Sequence, residues 1–494
     1  MKQSLLFRGL LCLAVLTALT AASCSDTAPQ PPVTDTDTAA ETEVQTEAAA
    51  DTVTYEPDSL PALDFGGANV HIFGRTTDIP EYSVEEENGD IVNDAIFVRN
   101  RTVEERLNVS LSVTQIDGGN YDRATWVKTV TQSTMAGDGA NDIVGGYSMT
   151  LATLANERML LNLYDYDYLD FDKPWWPPSL NEEASIGDAL YFCSGDISTH
   201  MIYYLYATYF NRKFITDYDL EDPYQLVRDG KWTLDKLYEI SSQVYRDLNG
   251  NGQKDGEDQF GYITDTVYAD SLFFAAGLNT TEKDADNIPH LSEEFGGEKA
   301  QALIASLVDA FKTNNGMLLM DGGSEDTFMS DRILFYTTEV FFAATKLRNS
   351  EIEYGILPIP KYDEAQEDYY TISSFPYNLF GIPLDAKDPE MSAAVLECLA
   401  SESYRTVSPA LFETALKVKY ATDSDVSEMY DLIRASNCFD FGRIFNDSLN
   451  GMTYTLFRDA LFKGQTEWIS KYEKSSKVLK KLFDNLIGNL TEEP

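Results

Sequence analysis

A loop near the middle of the chain, DLNGNGQKDGED, carries oxygen-bearing side chains at the spacing of a calcium-binding loop. The first, third, fifth, seventh, ninth and twelfth positions of such a loop supply ligands, and Gly252 stands at the sixth, where a sharp turn is required. The ligand positions are filled by Asp247, Asn249, Asn251, Gln253, Asp255 and Asp258. The last of these replaces the bidentate glutamate of the usual loop. We predict a structural Ca²⁺ site, and the alternative is a solvated turn without an ion.

Residues for nucleophilic or metal catalysis are sparse. None of the three histidines stands at a metal-ligand spacing or in the context of a catalytic triad. After Cys24 the chain has only Cys193, Cys398 and Cys438, which we expect to be buried free thiols rather than a disulfide framework. An acid pair of a glycoside hydrolase could still lie among the 81 Asp and Glu residues, because carboxylate separation cannot be read from sequence.

Aromatic and acidic residues near the ends of predicted strands could bind a sugar. Sugars present apolar C–H faces that stack on flat rings and hydroxyls that bond to acids or amides. The candidates are Tyr147, Trp175, Trp176, Glu339, Phe341, Phe375 and Tyr377. The alternative for each aromatic residue is simple packing in the core.

The N-terminus predicts export and lipidation. Lys2 and Arg8 precede an apolar run that ends in TAASC, which is typical of a signal peptide over residues 1–23. The end of this run resembles the lipobox of bacterial lipoproteins, in which the cysteine after the cut, here Cys24, receives lipid. Residues 24–60 follow as an acidic spacer, with nine Asp or Glu and no Lys or Arg between Ser25 and Asp58. Such a segment cannot bury enough apolar surface to offset its ordering entropy, so we predict disorder.

The composition of the whole chain excludes some partners. The net charge of −44 argues against nucleic acid, because phosphate binding needs a basic surface. Hydrophobic residues make up 43% and aromatic residues 12%, enough for a sizeable core. After the leader, no stretch approaches the length of a membrane helix, so we expect contact with the membrane only through the lipid anchor.

Strand and helix patterns alternate along the body. NVHIFGR, VSLSVTQI and NDIVGGY have the spacing of strands, and VNDAIFVRNRTVEERLNV between them has a helical spacing. RILFYTT and YGILPIP repeat this order later in the chain, with EVFFAATKLR between them. The alternation predicts an α/β fold with mostly parallel sheets, and the C-terminal third, from Asp388, is nearly all helical in pattern.

Several segments together resemble one family. GDIVNDAIFVRNRTVEERLNV, FNRKFITDYDLEDPYQLVRDGKWTLDKLYEI, DLNGNGQKDGEDQFGY and YGILPIPKYDEAQEDYY are similar, in this order, to extracellular solute-binding proteins of family 1. These are lipoprotein receptors of bacterial ABC importers, many of them for sugars. The resemblance implies a two-lobe, type II periplasmic-binding-protein-like fold with discontinuous lobes joined by a hinge. We expect lobe one in residues 61–205 with 323–374, lobe two in 206–322 with 375–494, and the first crossing near Tyr206.

The resemblance also implies a function. We expect a non-catalytic, monomeric receptor on the extracellular face of the cell membrane, which captures an oligosaccharide or similar small polar solute and passes it to ABC permease subunits. The alternatives are a secreted glycoside hydrolase and a surface glycan-adhesion or sensor protein. Turnover separates the receptor from the hydrolase, and neighbouring permease genes separate it from the adhesion protein.

Overall fold

A computed structural model describes residues 55–77, 80–412 and 424–491, which lie in one compact unit that begins at Tyr55. The predicted signal peptide, Cys24 and the spacer up to residue 54 lie outside the described residues. None of the described helices combines the length and the hydropathy that a membrane crossing requires.

The strands of the described residues are short, and most are buried. In chain order they are β1 (Ala68–Arg75), β2 (Val109–Ile116), β3 (Ile143–Tyr147), β4 (Tyr206–Asn211), β5 (Phe260–Asp265), β6 (Thr281–Lys283), β7 (Pro289–Leu291), β8 (Met317–Met320), β9 (Ile333–Glu339), β10 (Tyr354–Leu357), β11 (Thr371–Ile372), β12 (Asn378–Gly381) and β13 (Asn437–Cys438).

The helices fall between the strands and then dominate the C-terminal part. They are α1 (Ile91–Leu107), α2 (Arg123–Ala136), α3 (Ser148–Asn156), α4 (Pro178–Ala184), α5 (Thr199–Tyr203), α6 (Arg212–Asp217), α7 (Pro223–Arg228), α8 (Leu234–Ser242), α9 (Ser271–Ala275), α10 (Glu298–Thr313), α11 (Ser324–Met329), α12 (Phe341–Thr345), α13 (Pro389–Glu402), α14 (Ser424–Ala435), α15 (Phe441–Ile444), α16 (Met452–Phe462) and α17 (Trp468–Thr491). A π-helical turn, Ser403–Val407, follows α13.

The first sheet, the centre of lobe one, has the strand order β12-β3-β1-β2. β1 is parallel to β2 and β3, and β12 pairs antiparallel with β3. Helices α1 and α2 connect the parallel strands, as parallel pairing requires. The strand carboxyl ends therefore share one edge, at Arg75, Ile116 and Tyr147.

The second sheet, the centre of lobe two, has the order β10-β4-β9-β5-β8. β5 is parallel to β8 and β9, whereas β4 is antiparallel to both β9 and β10. β4 and β5 are buried along their whole length, as expected for central strands covered on both faces. The carboxyl ends of β5 and β9 lie at one edge, at Asp265 and Glu339.

Two segments that pair with each other connect the two sheets. One leads from α5 into β4, and the other leads from β11 into β12. Leu205 and Ser373 form an antiparallel bridge, and the Ser374 N–H donates to the Tyr204 carbonyl at 2.7 Å. We call residues 204–206 and 373–377 the paired linkers.

The predicted division of the chain between the lobes needs correction. Residues 323–374 were expected in lobe one, but β9 and β10 lie in the second sheet, where β9 pairs with β4 and β5. Conversely β12, expected in lobe two, completes the first sheet. The chain returns to lobe one only at the second paired linker, because both edges of β9 are hydrogen-bonded to strands of lobe two, β4 on one side and β5 on the other.

The last residues of the predicted spacer are docked on lobe one. Arg106 contacts Asp58 at 2.9 Å, and Arg405 contacts it at 3.2 Å. Burial acts to raise the pKa of Asp58, but hydrogen bonds from Arg106 and Ser401 hold that pKa below its usual range. Tyr55 also packs edge-on against the ring of Tyr404. The prediction of disorder up to residue 60 is therefore wrong for residues 55–60.

The helical C-terminal third is confirmed, and its last helix contacts both lobes. The Trp468 indole, at the start of α17, donates to the Phe295 carbonyl beside α10 at 2.7 Å. At the other end of α17, the Tyr191 hydroxyl of lobe one donates to the Leu490 carbonyl at 2.9 Å. The buried residues of α17 fall on one face, which packs into the core between these contacts.

The three cysteines of the described residues are free thiols. Cys193 and Cys398 are buried, as predicted, and Cys438 is half-buried. Burial raises the pKa of the Cys398 and Cys438 thiols to about 12, so both remain protonated and unreactive at neutral pH.

Candidate functional site

An aromatic cluster lies where the edge of the first sheet meets the second paired linker. It consists of Tyr147, Met149 and Phe375, with Tyr454 of α16 packed against them, and we call it the interlobe cluster. Ser148, directly after β3, ties the linker to the sheet, since its hydroxyl donates to the Phe375 carbonyl at 2.7 Å. The cluster therefore combines a strand end, a linker and a C-terminal helix.

Two arginines flank the Tyr147 ring. The guanidinium carbons of Arg75 and Arg123 lie 5.5 and 5.7 Å from the ring centroid, within the range of cation–π attraction. Arg75, at the end of β1, also donates to Asn378 and to the Pro376 carbonyl. Burial raises the pKa of Tyr147 well above its usual value, so the ring presents a neutral phenol.

A second pair of arginines supports the other rings of the cluster. The guanidinium carbon of Arg443 lies 3.9 Å from the Phe375 ring centroid, and that of Arg458 lies 4.4 Å from the Tyr454 centroid. Both arginines form ion pairs with the buried Asp270. Burial acts to raise the pKa of Asp270, but the two guanidinium groups outweigh it and the pKa is lowered. The two aromatic faces are thus held by one buried ionic cluster.

Glu339 places a carboxyl group beside this cluster. It ends β9, lies opposite Tyr206 in the sheet register and is half-buried. Burial raises its pKa to about 7, and a hydrogen bond with Ser374 of the second linker acts in the opposite direction. Glu339 in turn acts to raise the pKa of Tyr147, although burial is the larger cause. At neutral pH this carboxyl can donate or accept a hydrogen bond.

Two other predicted ligand contacts lie apart from the cluster. Phe341, at the start of α12, packs against Tyr203 and Tyr204 with ring centroids 5.9 Å apart in each case. Tyr377 is buried and packs edge-on against Phe439. The structure thus brings Tyr147, Phe375 and Glu339 together, whereas Phe341 braces the first linker and Tyr377 belongs to the core.

The predicted ligand contacts of Trp175 and Trp176 are not supported, since both indoles are fully buried in lobe one. Their N–H groups donate to the two carboxylate oxygens of Glu397, at 3.1 and 2.9 Å. Burial raises the pKa of Glu397 to about 7, although the indole hydrogen bonds oppose the rise. A partner more than 200 positions along the chain fixes these indoles, which local sequence could not reveal.

A buried Ser, His and Glu cluster beside the linkers does not form a nucleophile. The imidazole Nδ1 of His200 lies 2.7 Å from the carboxylate of Glu81. The Ser198 hydroxyl donates to the same carboxylate rather than to the histidine, and Asn378 donates to it as well. A catalytic triad requires the serine to bond to the histidine. The cluster instead connects the loop after β1 to α5 and to the start of β12, the elements that flank the two linkers.

The predicted calcium loop adopts part of the expected conformation. Gly250 and Gly252 have φ angles of 72° and 69°, so both turns use the left-handed region that glycine allows. The Asp247 carboxylate accepts from the backbone N–H groups of these glycines at 2.6 and 2.9 Å. Asn251 donates to Asp255 at 2.8 Å, which draws the two sides of the loop together.

The fit of this loop to Ca²⁺ is incomplete at its end. Asp258 is fully buried, and its carboxylate accepts from the Tyr245 hydroxyl and the Leu248 N–H at 3.0 and 3.1 Å. Among the described residues, no group of three or more His, Cys, Asp or Glu is arranged to hold a metal ion. The helix before the loop, α8, ends at Ser242 and does not continue into the loop. Asp247, Asn249, Asn251, Gln253 and Asp255 therefore remain the residues that a bound ion would use.

The arginines of the site were missed at the sequence level, although signals were present. Arg75 is the last residue of the strand pattern NVHIFGR, where a side chain reaches the edge of a parallel sheet. Tyr454 and Arg458 are four positions apart on α16, the spacing that puts two side chains on one helix face. Asp270 and Arg443 carried no such signal, because their partners come from distant elements.

Comparisons with solved structures identify the type of fold, whereas comparisons of sequence find no match. No protein-family model matches the chain, and no curated protein matches it in sequence. Among solved structures, an ABC substrate-binding protein from Listeria monocytogenes in complex with cycloalternan is similar, with a TM-score of 0.54 and 13% identity over 86% of this chain and 100% of that one. UgpB from Mycobacterium tuberculosis, in complex with glycerophosphocholine, has a TM-score of 0.55 and 13% identity over 85% and 99%.

A maltose/maltodextrin-binding domain from Bdellovibrio bacteriovorus bound to maltotriose is also similar, with a TM-score of 0.51 and 12% identity over 85% of this chain and all of that one. At such identities the likeness shows the fold and not the ligand. The predicted fold is confirmed: the chain has the two-lobe, periplasmic-binding-protein-like α/β fold of ABC solute-binding proteins.

The carboxyl group that fixes the tryptophan pair should make stability depend on pH. The pKa of Glu397 rises from 4.5 to about 7 on burial, so protonation favours the folded state. This contribution is complete below pH 4.5 and is lost as the pH rises through 7, and it amounts to about 3 kcal/mol because one pKa unit corresponds to about 1.4 kcal/mol. Glu397→Gln should remove that part of the decline in the free energy of unfolding, measured with urea between pH 4 and pH 8. Glu390→Gln, on the exposed side of α13, should retain it, and an unchanged slope in Glu397→Gln would contradict the assignment.

Proposed function

We propose that this protein is a non-catalytic receptor that encloses a small polar solute, most suitably a carbohydrate, between its two lobes. One observation supports it above the others: the strand ends of both sheets converge on the paired linkers, where aromatic rings and the half-buried carboxyl group of Glu339 meet. Open α/β sheets bind ligands at this end of their strands.

The chemistry of the site suits a neutral, hydroxyl-bearing ligand. Tyr147 and Phe375 offer ring faces for apolar C–H groups, and arginines restrain both rings. Glu339, with a pKa of about 7, can accept a hydrogen bond from a hydroxyl or donate one to it. The three similar structures described above contain cycloalternan, maltotriose and glycerophosphocholine, and all three are polar solutes that carry hydroxyl groups.

Binding at this site requires the lobes to separate. Tyr147 and Phe375 are only 5% and 7% exposed in the structure, so a solute cannot reach their faces without movement. The paired linkers are the natural hinge, since they join the two sheets near Leu205 and Ser373. A ligand that contacts both lobes would shift the population from the open to the closed state.

The wider role that we propose rests on the N-terminal sequence and on the resemblance to solute-binding proteins of ABC importers. Lipid on Cys24 would hold the receptor at the extracellular face of the membrane, and ABC permease subunits would take the solute from the closed form. The role of a surface adhesion protein uses the same fold, and only the presence of permease subunits separates the two.

The loop at residues 247–258 is proposed to bind Ca²⁺ as a structural ion. Its two positive-φ glycines and the contact between Asn251 and Asp255 support this role. The ion would fix the connection between α8 and β5, and weak affinity would suffice in a calcium-rich extracellular medium.

The binding proposal is tested with the mature chain and a panel of neutral oligosaccharides from disaccharides to octasaccharides. At least one should bind by calorimetry, make the protein more compact in small-angle scattering and be recovered intact. Tyr147→Ala should weaken binding about tenfold, a loss of about 1.4 kcal/mol, while Tyr164→Ala, away from the cluster, should not. Cleavage of the sugar, or the absence of any binding, would reject the proposal.

The calcium site is tested by thermal unfolding of Asp247→Ala with calcium or with a chelator. We expect calcium to raise the melting temperature of the parent protein and to leave the variant unchanged, because ligand binding stabilises only the state that binds it. Asp286→Ala, in an exposed turn elsewhere, should respond as the parent does. Equal responses of Asp247→Ala and the parent to calcium would exclude the site.

Lipidation is tested by Cys24→Ala in a bacterial host with an alkynyl fatty acid label. The parent chain should carry the label and sediment with membranes, and the variant should be unlabelled and released. Cys12→Ser, inside the leader, should leave labelling intact. Membrane retention of an unlabelled Cys24→Ala chain would show that another segment anchors the protein.

A further inference from the structure

A groove of about 730 Å³ lies between α2 and α3 of lobe one and ends at Asp447 and Ser448, before α16. This volume falls within the range of about 300–1,000 Å³ that is typical of small-molecule sites. The hydrogen bond from Thr131 to Glu157, at 2.9 Å, joins the two helices along the groove. None of the residues predicted from sequence to bind a ligand lines it.

The groove shares a wall with the interlobe cluster. Arg123 lines the groove and forms an ion pair with Asp447 at 3.1 Å. The same guanidinium lies over the Tyr147 ring. Arg123 therefore borders both the groove and the cluster, and a ligand that extends past Arg123 would contact both once the lobes have separated.

The charges of the groove balance, in contrast to the chain as a whole. Two cations, Arg123 and Lys128, and two carboxylates, Glu157 and Asp447, line it, whereas the whole chain has a net charge of −44. Neither an anionic nor a cationic ligand is favoured by such a lining. The side chains of Lys128 and Gln132 make no hydrogen bond or ion pair with other described residues, so their donors are free to bind a neutral polar group.

An unusually exposed aromatic residue stands at the rim of the groove. Tyr121 lies in the loop after β2, at the ligand edge of the first sheet, and is 96% exposed. Because this ring is exposed, it adds no buried apolar surface to the ligand-free protein. Its flat face is of the kind on which the C–H face of a sugar ring stacks.

We infer that this groove is an outer subsite, which binds the sugar residues of a neutral oligosaccharide that extend past Arg123 from the interlobe cluster. The inference rests on the proposed function. Tyr121 supplies the stacking face, while Lys128 and Gln132 supply donors for hydroxyl groups. Disaccharides occupy the interlobe site alone, and longer chains gain affinity from the outer subsite.

The test compares Tyr121→Ala and Gln132→Ala with the parent protein on the same panel of neutral oligosaccharides, by calorimetry. Met135→Ala is the matched control, because Met135 is 75% exposed on α2 but does not line the groove. We expect affinity in the parent to rise with chain length. Tyr121→Ala should weaken the binding of the longer oligosaccharides about tenfold relative to the parent protein and leave the affinity for disaccharides unchanged.

The outcomes separate the two proposals. Loss of length dependence in Tyr121→Ala and Gln132→Ala, but not in Met135→Ala, supports the outer subsite. Sugar binding without length dependence, or equal loss for short and long sugars in Tyr121→Ala, overturns the subsite and leaves the receptor function intact. If no neutral oligosaccharide binds the parent protein, the proposed function and the subsite fail together.

Discussion

The pairing of two short linkers is the constraint on which the arrangement of the molecule depends. Leu205 and Ser373 bridge the only points at which the described chain passes directly from one large sheet to the other. Around them, Glu81 ties the loop after β1 to His200 and Asn378, and Arg443 donates to the Ser373 carbonyl at 3.1 Å. Because these polar groups are buried, breaking one of their hydrogen bonds costs more free energy than breaking the same bond at the surface. These contacts hold the two linkers in one fixed pairing where the two sheets meet.

The distribution of charge is unequal between surface and interior. The chain has 81 acidic and 37 basic residues, yet arginines concentrate around the aromatic rings near the linkers. Excess carboxylates at the surface keep such a protein soluble, whereas a guanidinium group next to a ring adds attraction and a planar set of donors. Asp270 illustrates the desolvation penalty of a buried charge. Its carboxylate is tolerated in the interior only because Arg443 and Arg458 both bind it.

Local sequence patterns predicted the strands and helices but not which of them pair or pack together. Alternating and helical spacings predicted β1, β2, α1 and the helical C-terminal third, because periodicity records which face of an element is buried. The membership of β9 in the second sheet could not be predicted, since its neighbours β4 and β5 are distant in sequence and equally apolar. The Trp175 and Trp176 pair shows the same limit. Adjacent indoles in a proline-rich segment resemble a ligand-binding surface, and only the structure shows that both donate to the Glu397 carboxylate.

The interleaved strand order has a consequence for biosynthesis. β4 lies between β9 and β10, and β3 is covered at its edge by β12, so neither large sheet is complete before residues 357 and 381, respectively, have been made. A nascent chain that has reached β4 exposes an apolar strand whose neighbours do not yet exist. Contacts of such high sequence separation slow folding and prolong the time in which unpaired edges can aggregate. The order of the strands thus favours late, cooperative assembly, in which each large sheet closes only when its last strand has been made.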